Sequence, residues 1–389
     1  MSVAGLEGFE KSRLSVLLEH LGEIDDPREP WRVAHPLTEV LLLVVCGMIC
    51  DCDDYDLIAA WGERHLDFLR RYLLYDHGVP GGRWLTLLMN RIDPELFSAA
   101  FSAWVRETWP ERLDLVAIDG KTSRCSHDRG LGAAPLHLVS AFATTQRLVL
   151  GQEAVADKSS ETTAIPVLLE RLGRNDGLKG AIVSIDAIAT NGVIAKAIGD
   201  QGADYLLAVK ANQLTLRAEV EACFAGPPAG ALDTFADLDK GHGRIEQRTV
   251  TVVREVDWLG GERRFPGELR LPRVAAIVRV QSRTELKDRC RYYTRYFITS
   301  ATLDAKRAGA VVRGHWAIEN SLHWTLDVVF KEDQSRLRKG HGAKNMAVVR
   351  HFAINIVRAA TDRRSIKSRR KIAGWDTKCL ANLLGPTWR

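Results

Sequence analysis

Between residues 113 and 224 the chain alternates short apolar runs with amphipathic ones, and this order limits its fold more than any other feature. Runs rich in Val, Leu and Ala stand at 113–119, 136–143 and 147–155. A helical pattern follows at 162–173, then a strand at 181–186, a helix at 192–201, a strand at 204–210 and a helix at 214–224. Apolar runs of this length read as buried strands. Strands that alternate with helices are joined by crossovers, which build a parallel or mixed sheet.

Three strands followed by helix, strand, helix, strand, helix is the order of a ribonuclease H-like core. The expected fold class is therefore α/β, a mixed sheet flanked by helices. In such a core the first and fourth strands are neighbours. Ahead of it, helical periodicity at 10–22, 36–50, 54–75, 83–91 and 94–108 predicts an all-helical N-terminal domain over residues 1–110. That domain suits DNA-end recognition, and equally packing or dimerisation. Residues 111–389 are expected to form the catalytic domain, interrupted by a β-rich insertion at about 225–290 that opens on Gly226-Pro227-Pro228. From Asp304 the pattern is helical, and residues 335–389 form a basic helical tail.

Composition narrows the classes. With 46% hydrophobic and 26% charged residues this is a folded chain. Its longest apolar run, from Val40 to Cys50, is too short to span a bilayer, and no secretory signal is evident. A cytoplasmic protein without a membrane partner is expected. Seven scattered cysteines argue against a disulfide framework, and Cys46, Cys50 and Cys52 read as core thiols rather than metal ligands. The net charge of +5 conceals a tail with 14 Lys or Arg against two Asp, so the rest of the chain is acidic. A basic tail, dense at Arg363-Arg364-Ser365-Ile366-Lys367-Ser368-Arg369-Arg370-Lys371, points to a polyanion, most plausibly nucleic acid.

The first and fourth core strands each end on an aspartate, Asp119 and Asp186. Carboxylates at the carboxyl ends of strands sit where α/β sheets build their sites. A third acid, Glu319, lies on a helical stretch whose stripe Ile318, Leu322, Leu326 and Val329 is apolar, with His315, Glu319, His323 and Asp327 following at i+4 on the adjacent face. Three carboxylates suit two Mg²⁺ or Mn²⁺ ions and phosphoryl transfer. Asp119 would bridge the ions, and Asp186 and Glu319 would complete one side each. A strand-end Asp serves equally as a cap or turn former. His315, Glu319 and His323 also have a spacing compatible with zinc, although the His-Glu-x-x-His pattern is absent. Lys121, Lys158, Lys210 and Asn212 follow strands, and His242 and Arg244 open the insertion, where they are placed to hold a DNA backbone. Trp316 is a candidate for stacking on a base, and His315 and His323 for phosphate contact.

Specific stretches resemble the bacterial insertion-sequence transposases of the ISAs group, the H-repeat-associated proteins, within the DDE class. They include Ala117-Ile118-Asp119-Gly120-Lys121-Thr122, Ala203-Asp204-Tyr205-Leu206-Leu207-Ala208-Val209-Lys210-Ala211-Asn212-Gln213 and Gly241-His242-Gly243-Arg244. The most specific is His315-Trp316-Ala317-Ile318-Glu319-Asn320-Ser321-Leu322-His323-Trp324-Thr325-Leu326-Asp327. The resemblance implies a ribonuclease H-like core, two divalent metals, cut-and-paste transfer at inverted-repeat ends, and a catalytic triad of Asp119, Asp186 and Glu319. The chain departs from the group after Asp186, where Ile188-Ala189-Thr190-Asn191 replaces the usual Met-Gly-Thr-Gln. The Tyr, Arg and Lys that flank the glutamate across the class are here Val312, His315 and Leu326, which leaves Arg313 and Lys331 to grip phosphate.

The expected function is DNA transposition, with double-stranded DNA (terminal inverted repeats and target) as partner and a homodimer as the working form. In the cell such a protein would meet the nucleoid. The alternatives are a ribonuclease H-fold nuclease without strand transfer and an inactive, transposase-derived DNA-binding protein.

Overall fold

The computed structural model describes residues 12–128, 130, 132–155, 161–186, 190–226, 232–241, 244–259, 265, 268–286 and 288–385. It divides into two compact units, one of Met1–Pro110, Ser123–Leu136 and Thr325–Arg389, the other of Glu111–Thr122 and His137–Trp324. The first division falls at the expected 110/111 position, but Ser123–Leu136 and Thr325–Arg389 gather with the N-terminal helices rather than with the sheet.

The helical unit begins with α1 (Arg13–Gly22), α2 (Leu37–Ile49), α3 (Tyr55–Arg64), the single turn α4 (Leu66–Leu69), α5 (Gly82–Met89) and α6 (Pro94–Thr108). Ser12, Asp54 and Asp93 cap α1, α3 and α6 by accepting from backbone N–H groups of the first turn. The helix expected over 54–75 is broken at His65. Helix α2 is apolar all round and lies in the core. Its one acid, Glu39, is buried but satisfied, since its carboxylate accepts from the Tyr75 N–H at 2.8 Å.

The second unit is built on one nine-stranded sheet. Its strands are β1 (Leu115–Thr122), β2 (His137–Ala143), β3 (Leu148–Val155), β4 (Ile182–Ile185), β5 (Asp204–Val209), β6 (Asp233–Gly241), β7 (Arg244–Val253), β8 (Ala276–Glu285) and β9 (Cys290–Thr299). Their order is β3-β2-β1-β4-β5-β9-β8-β7-β6. Among the described residues only β1–β4 and β4–β5 pair in parallel. Helix α7 (Glu161–Gly173) crosses from β3 to β4, and α8 (Gly192–Asp200) from β4 to β5. The first and fourth strands are neighbours, as the element order predicts. After α9 (Leu214–Ala225), the β-rich segment adds β6, β7 and β8 to the same sheet through β9, which pairs with β5. Helix α10 (Ala305–His315), capped by Asp304, lays Ala308, Val311 and Val312 on a core of Leu115, Ile182, Leu206, Val250, Val278 and Phe297. Gly314 comes so close to β1 that a Cβ there would collide with Leu115.

Past α10 the helix changes pitch. Ile318–His323 forms a π-turn rather than the regular α-helix expected of the i+4 spacing. The chain continues through α11 (Trp324–Val328) to α12 (Gly342–Arg358), α13 (Ile366–Trp375) and α14 (Thr377–Leu384) of the helical unit. Phe352 of α12 meets Phe101 of α6 edge-on, with ring centroids 4.9 Å apart. The cationic block divides: Arg363 and Arg364, ahead of α13, are exposed, and on α13 Arg369 and Arg370 turn inward while Lys367 and Lys371 are exposed. Arg370 is fully buried, with its guanidinium 2.8 Å from Asp53, 3.1 Å from Asp51 and 3.9 Å above the Phe330 ring centroid. That side chain belongs to the core, which removes it from the polyanion surface expected of the whole block. Among the described residues no helix is long and apolar enough to cross a membrane.

Candidate functional site

The parallel register sets Ile118 beside Ile185, so the next residues, Asp119 and Asp186, leave neighbouring strands side by side. Strand β1 does not end at Asp119 as expected. It runs on to Thr122 because β2 goes on pairing with it after β4 has stopped. Asp119 therefore lies inside a strand that stays paired with β2 beyond the end of the β4 pairing. Its Oδ1 accepts from the Gly120 N–H at 2.9 Å. Burial, together with the charges of Glu319, Glu161 and Asp186, pushes this carboxyl up to about 7 against that one stabilising hydrogen bond.

Asp186 meets a cation instead. The Lys210 ammonium, just past β5, lies 2.6 Å from its Oδ1 and 2.7 Å from its Oδ2. Glu319 is carried by the π-turn, and its carboxyl is raised by partial burial and by the charge of Asp186. His323 on the same turn has Nδ1 3.7 Å from Asp119 Oδ2. His315 points elsewhere, to Ser184 Oγ at 3.0 Å, and burial lowers its pKa, so the ring is neutral near neutral pH. The single polar line expected along a regular helix is thus divided: Ser184 takes His315 and Asp119 takes His323, while Glu319 falls in the field of Asp186. A cavity of about 370 Å³ adjoins Asp186 and Glu319, with Leu206, Phe297 and Val312 in its wall and Lys210, Arg217 and Arg295 among its cations. The Arg295 guanidinium lies 4.8 Å from the Trp316 ring centroid.

Among the expected DNA contacts, Lys210, His315, Trp316 and His323 gather around these acids. Lys121 is two residues past Asp119 on β1 and so on the same strand face. Asn212 is exposed two residues past Lys210. Arg313 is held by Asp237 at 2.7 Å, and Lys331 by Asp53 at 2.8 Å in the helical unit, so both expected phosphate grips are engaged in other pairs. Lys158 and His242 lie outside the described residues, as do the side chain of Arg244 and residues 187–189 that follow Asp186.

Several neighbours of Asp119 carry no local sequence signal. His137, at the start of β2, and Glu161, at the start of α7, meet at 2.7 Å behind β1. They are 24 residues apart in sequence, and only the fold joins them.

Oxygen-only donors that raise each other's pKa are what a hard divalent cation would relieve. The three acids fit such an ion by chemistry. Even so, among the described residues no three His, Cys, Asp or Glu side chains are gathered as a metal cage, and Asp186 is turned to Lys210.

Residues 110–356 match the family described as the Transposase DDE domain, and residues 18–105 match the DDE_Tnp_1-associated family. The chain is 37% identical over 383 residues to the H repeat-associated protein YhhI of Escherichia coli K12, described as a candidate transposase, covering 95% of this chain and 98% of that protein. YncI of Escherichia coli O157:H7, also described as a candidate transposase, is 34% identical over 384 residues, or 95% of this chain and 94% of that one. Among solved structures, a cryo-EM piggyBac transposase synaptic complex with hairpin DNA reaches a TM-score of 0.43 at 10% identity, over 97% of this chain and 81% of that one.

Proposed function

Because the chain belongs to the DDE transposases, and so is a DNA transposase of metal-dependent phosphoryl-transfer chemistry, we propose that it cuts the ends of its insertion element and joins the freed 3′ hydroxyl to target DNA at Asp119, Asp186 and Glu319. The observation that carries this reading is the β1–β4 register, which sets Asp119 beside Asp186 under the turn that bears Glu319. We read the order β3-β2-β1-β4-β5, with helical crossovers on either side of β4, as a ribonuclease H-like core extended by the later strands.

Two Mg²⁺ or Mn²⁺ ions, held by the three carboxylates, would activate the attacking oxygen and stabilise the leaving oxygen. The protein's own groups do the rest. Asp119, kept in place by the Gly120 N–H, would be one of the carboxylates that hold the ions. Asp186 would join it in holding them by giving up its Lys210 partner. Lys210 is then available to a phosphate oxygen, as a cation beside the reacting strand. His315 stays neutral and fixes the end of β4 through Ser184. Two element ends must be held together, so the working form is a dimer on double-stranded DNA.

The test is a cleavage and joining assay with paired ends taken from the DNA that flanks the gene. Asp119→Ala should bind this DNA normally and cut none of it. Cutting by that variant removes Asp119 from the mechanism. Nicked ends without joined products from the wild type identify a nuclease instead.

A further inference from the structure

On the face of β1 opposite Asp119, four groups form a continuous support that ends on the Asp119 carboxylate. Alternation along the strand puts Ile118, Gly120 and Thr122 on one face and Asp119 on the other. The register pairs Thr122 with His137 and Gly120 with Val139. His137 is almost fully buried, and its two ring nitrogens are both engaged: Nδ1 lies 2.7 Å from Thr122 Oγ1, and Nε2 lies 2.7 Å from Glu161 Oε1. An ionised carboxylate only accepts hydrogen bonds, so Nε2 donates to Glu161 Oε1, while the Thr122 hydroxyl is the partner of Nδ1. The two contacts fix the plane of the ring.

Gly120 closes the support. A Cβ at this position would collide with Glu161 Oε1 and would lie 2.7 Å from His137 Nε2. The pair is therefore seated on the bare Cα of Gly120. Gly120 in turn donates its N–H to Asp119 Oδ1 at 2.9 Å.

We propose that His137 and Glu161 are positioning residues for Asp119: wedged behind Gly120 and locked by Thr122, they hold the peptide whose N–H orients the catalytic carboxylate. The inference rests on Asp119 being a catalytic carboxylate, as proposed for the function. The charge of Glu161 also raises the Asp119 pKa. The positioning role is separate from that charge and lies in the seat that its Oε1 forms with His137 behind Gly120. Residues behind a metal ligand that fix its orientation typically contribute 10–100-fold to metal affinity or activity.

The experiment uses the full chain, with Mn²⁺ affinity read by calorimetry, melting temperature read without metal, and end cleavage read across a Mn²⁺ series. Glu161→Gln keeps an acceptor for Nε2 and should stay within about threefold of wild type in both affinity and cleavage. Glu161→Ala should lose about 10–100-fold in Mn²⁺ affinity, with cleavage restored as Mn²⁺ is raised. A merely structural loss would lower the melting temperature without being rescued by metal. If Glu161→Ala does not fold, Thr122→Val, which removes only the hydroxyl partner of Nδ1, should show a smaller drop of the same kind. Wild-type affinity in both Glu161→Ala and Thr122→Val overturns the proposal. So does a Glu161→Gln variant as impaired as Glu161→Ala, which would make Glu161 an acid acting by its charge. Asp119→Ala run alongside separates the two readings: if it still cleaves, the site assignment fails, whatever the Glu161 variants do.

Discussion

Lys210 holds Asp186 through both carboxylate oxygens, at 2.6 and 2.7 Å. An ammonium there supplies the charge that a divalent ion would bring, so lysine and metal compete for the same carboxylate. The two side chains are 56% and 44% exposed, and a pair this wet adds little stability. Lys210→Met should therefore shift the melting temperature by about 2 °C or less. It should also bind Mn²⁺ roughly fivefold tighter, the worth of about 1 kcal/mol for one nearby charge in water. Cleavage should slow nevertheless, since the cation held beside Asp186 is lost to the phosphate. Calorimetry and the melting curve check this together, and an unchanged Mn²⁺ affinity would show that the two do not compete.

Asp119 makes a prediction of its own. Its folded pKa, about 7, is raised above the ordinary 3.8, first by burial. The folded state then holds a proton that the unfolded chain has lost. Its contribution to stability is complete below about pH 4 and is lost as pH rises through 7. Asp119→Asn removes that cost, so the variant should melt higher than wild type at pH 8 and show little difference at pH 4. Melting curves in metal-free buffer at the two pH values decide it. Cleavage should be abolished at both, the usual exchange of stability for activity at a strained site.

Much of this site is legible in the sequence. Val- and Ile-rich runs separated by amphipathic helices define the order of the core, and that order makes Asp119 and Asp186 neighbours. The apolar stripe through Ile318 and Leu322 locates the helix of Glu319, and both residues are buried. Other features depend on pairings that local pattern does not encode. Strand β1 outruns Asp119 because β2 continues beside it. An i+4 spacing looks the same in sequence whether the helix is α or π, so the divergence of His315 from His323 leaves no trace there. His137 and Glu161 each read as an ordinary polar residue at the start of an element. Their meeting depends on how α7 crosses the sheet.

His351 gives the opposite pH sign from Asp119. It is fully buried on α12 beside Phe101, and burial, reinforced by Arg350 and Arg358, lowers its pKa from 6.5 to about 3. The unfolded chain takes up a proton near pH 6.5 that the folded chain refuses until about pH 3. Stability contributed by the neutral ring is therefore complete above 6.5 and declines below it, by about 1.4 kcal/mol per pH unit. His351→Phe should flatten the loss of stability between pH 6.5 and 4.5 relative to wild type. Urea titrations across that range test it. Parallel slopes for the two proteins would mean that the ring is protonated in the fold.

The cationic block of α13 separates DNA binding from a structural role on a single helix. Lys367 and Lys371 are exposed one turn apart, and Trp375, 72% exposed, continues that face. Arg370 points the other way into the core, between Asp53 and Phe330. Every phosphate that a side chain ceases to neutralise reduces the slope of log affinity against log salt by about 0.9. Lys367→Gln with Lys371→Gln should therefore weaken duplex binding and reduce the slope by about 2, leaving the melting temperature unchanged. Arg370→Met leaves Asp51 facing no guanidinium and should cost about 3–5 kcal/mol of stability. The folded fraction of that variant should keep the wild-type salt slope. If neutralising the two lysines leaves the slope unaltered, the exposed face of α13 does not meet DNA, and the basic tail serves mainly to hold the helical unit together.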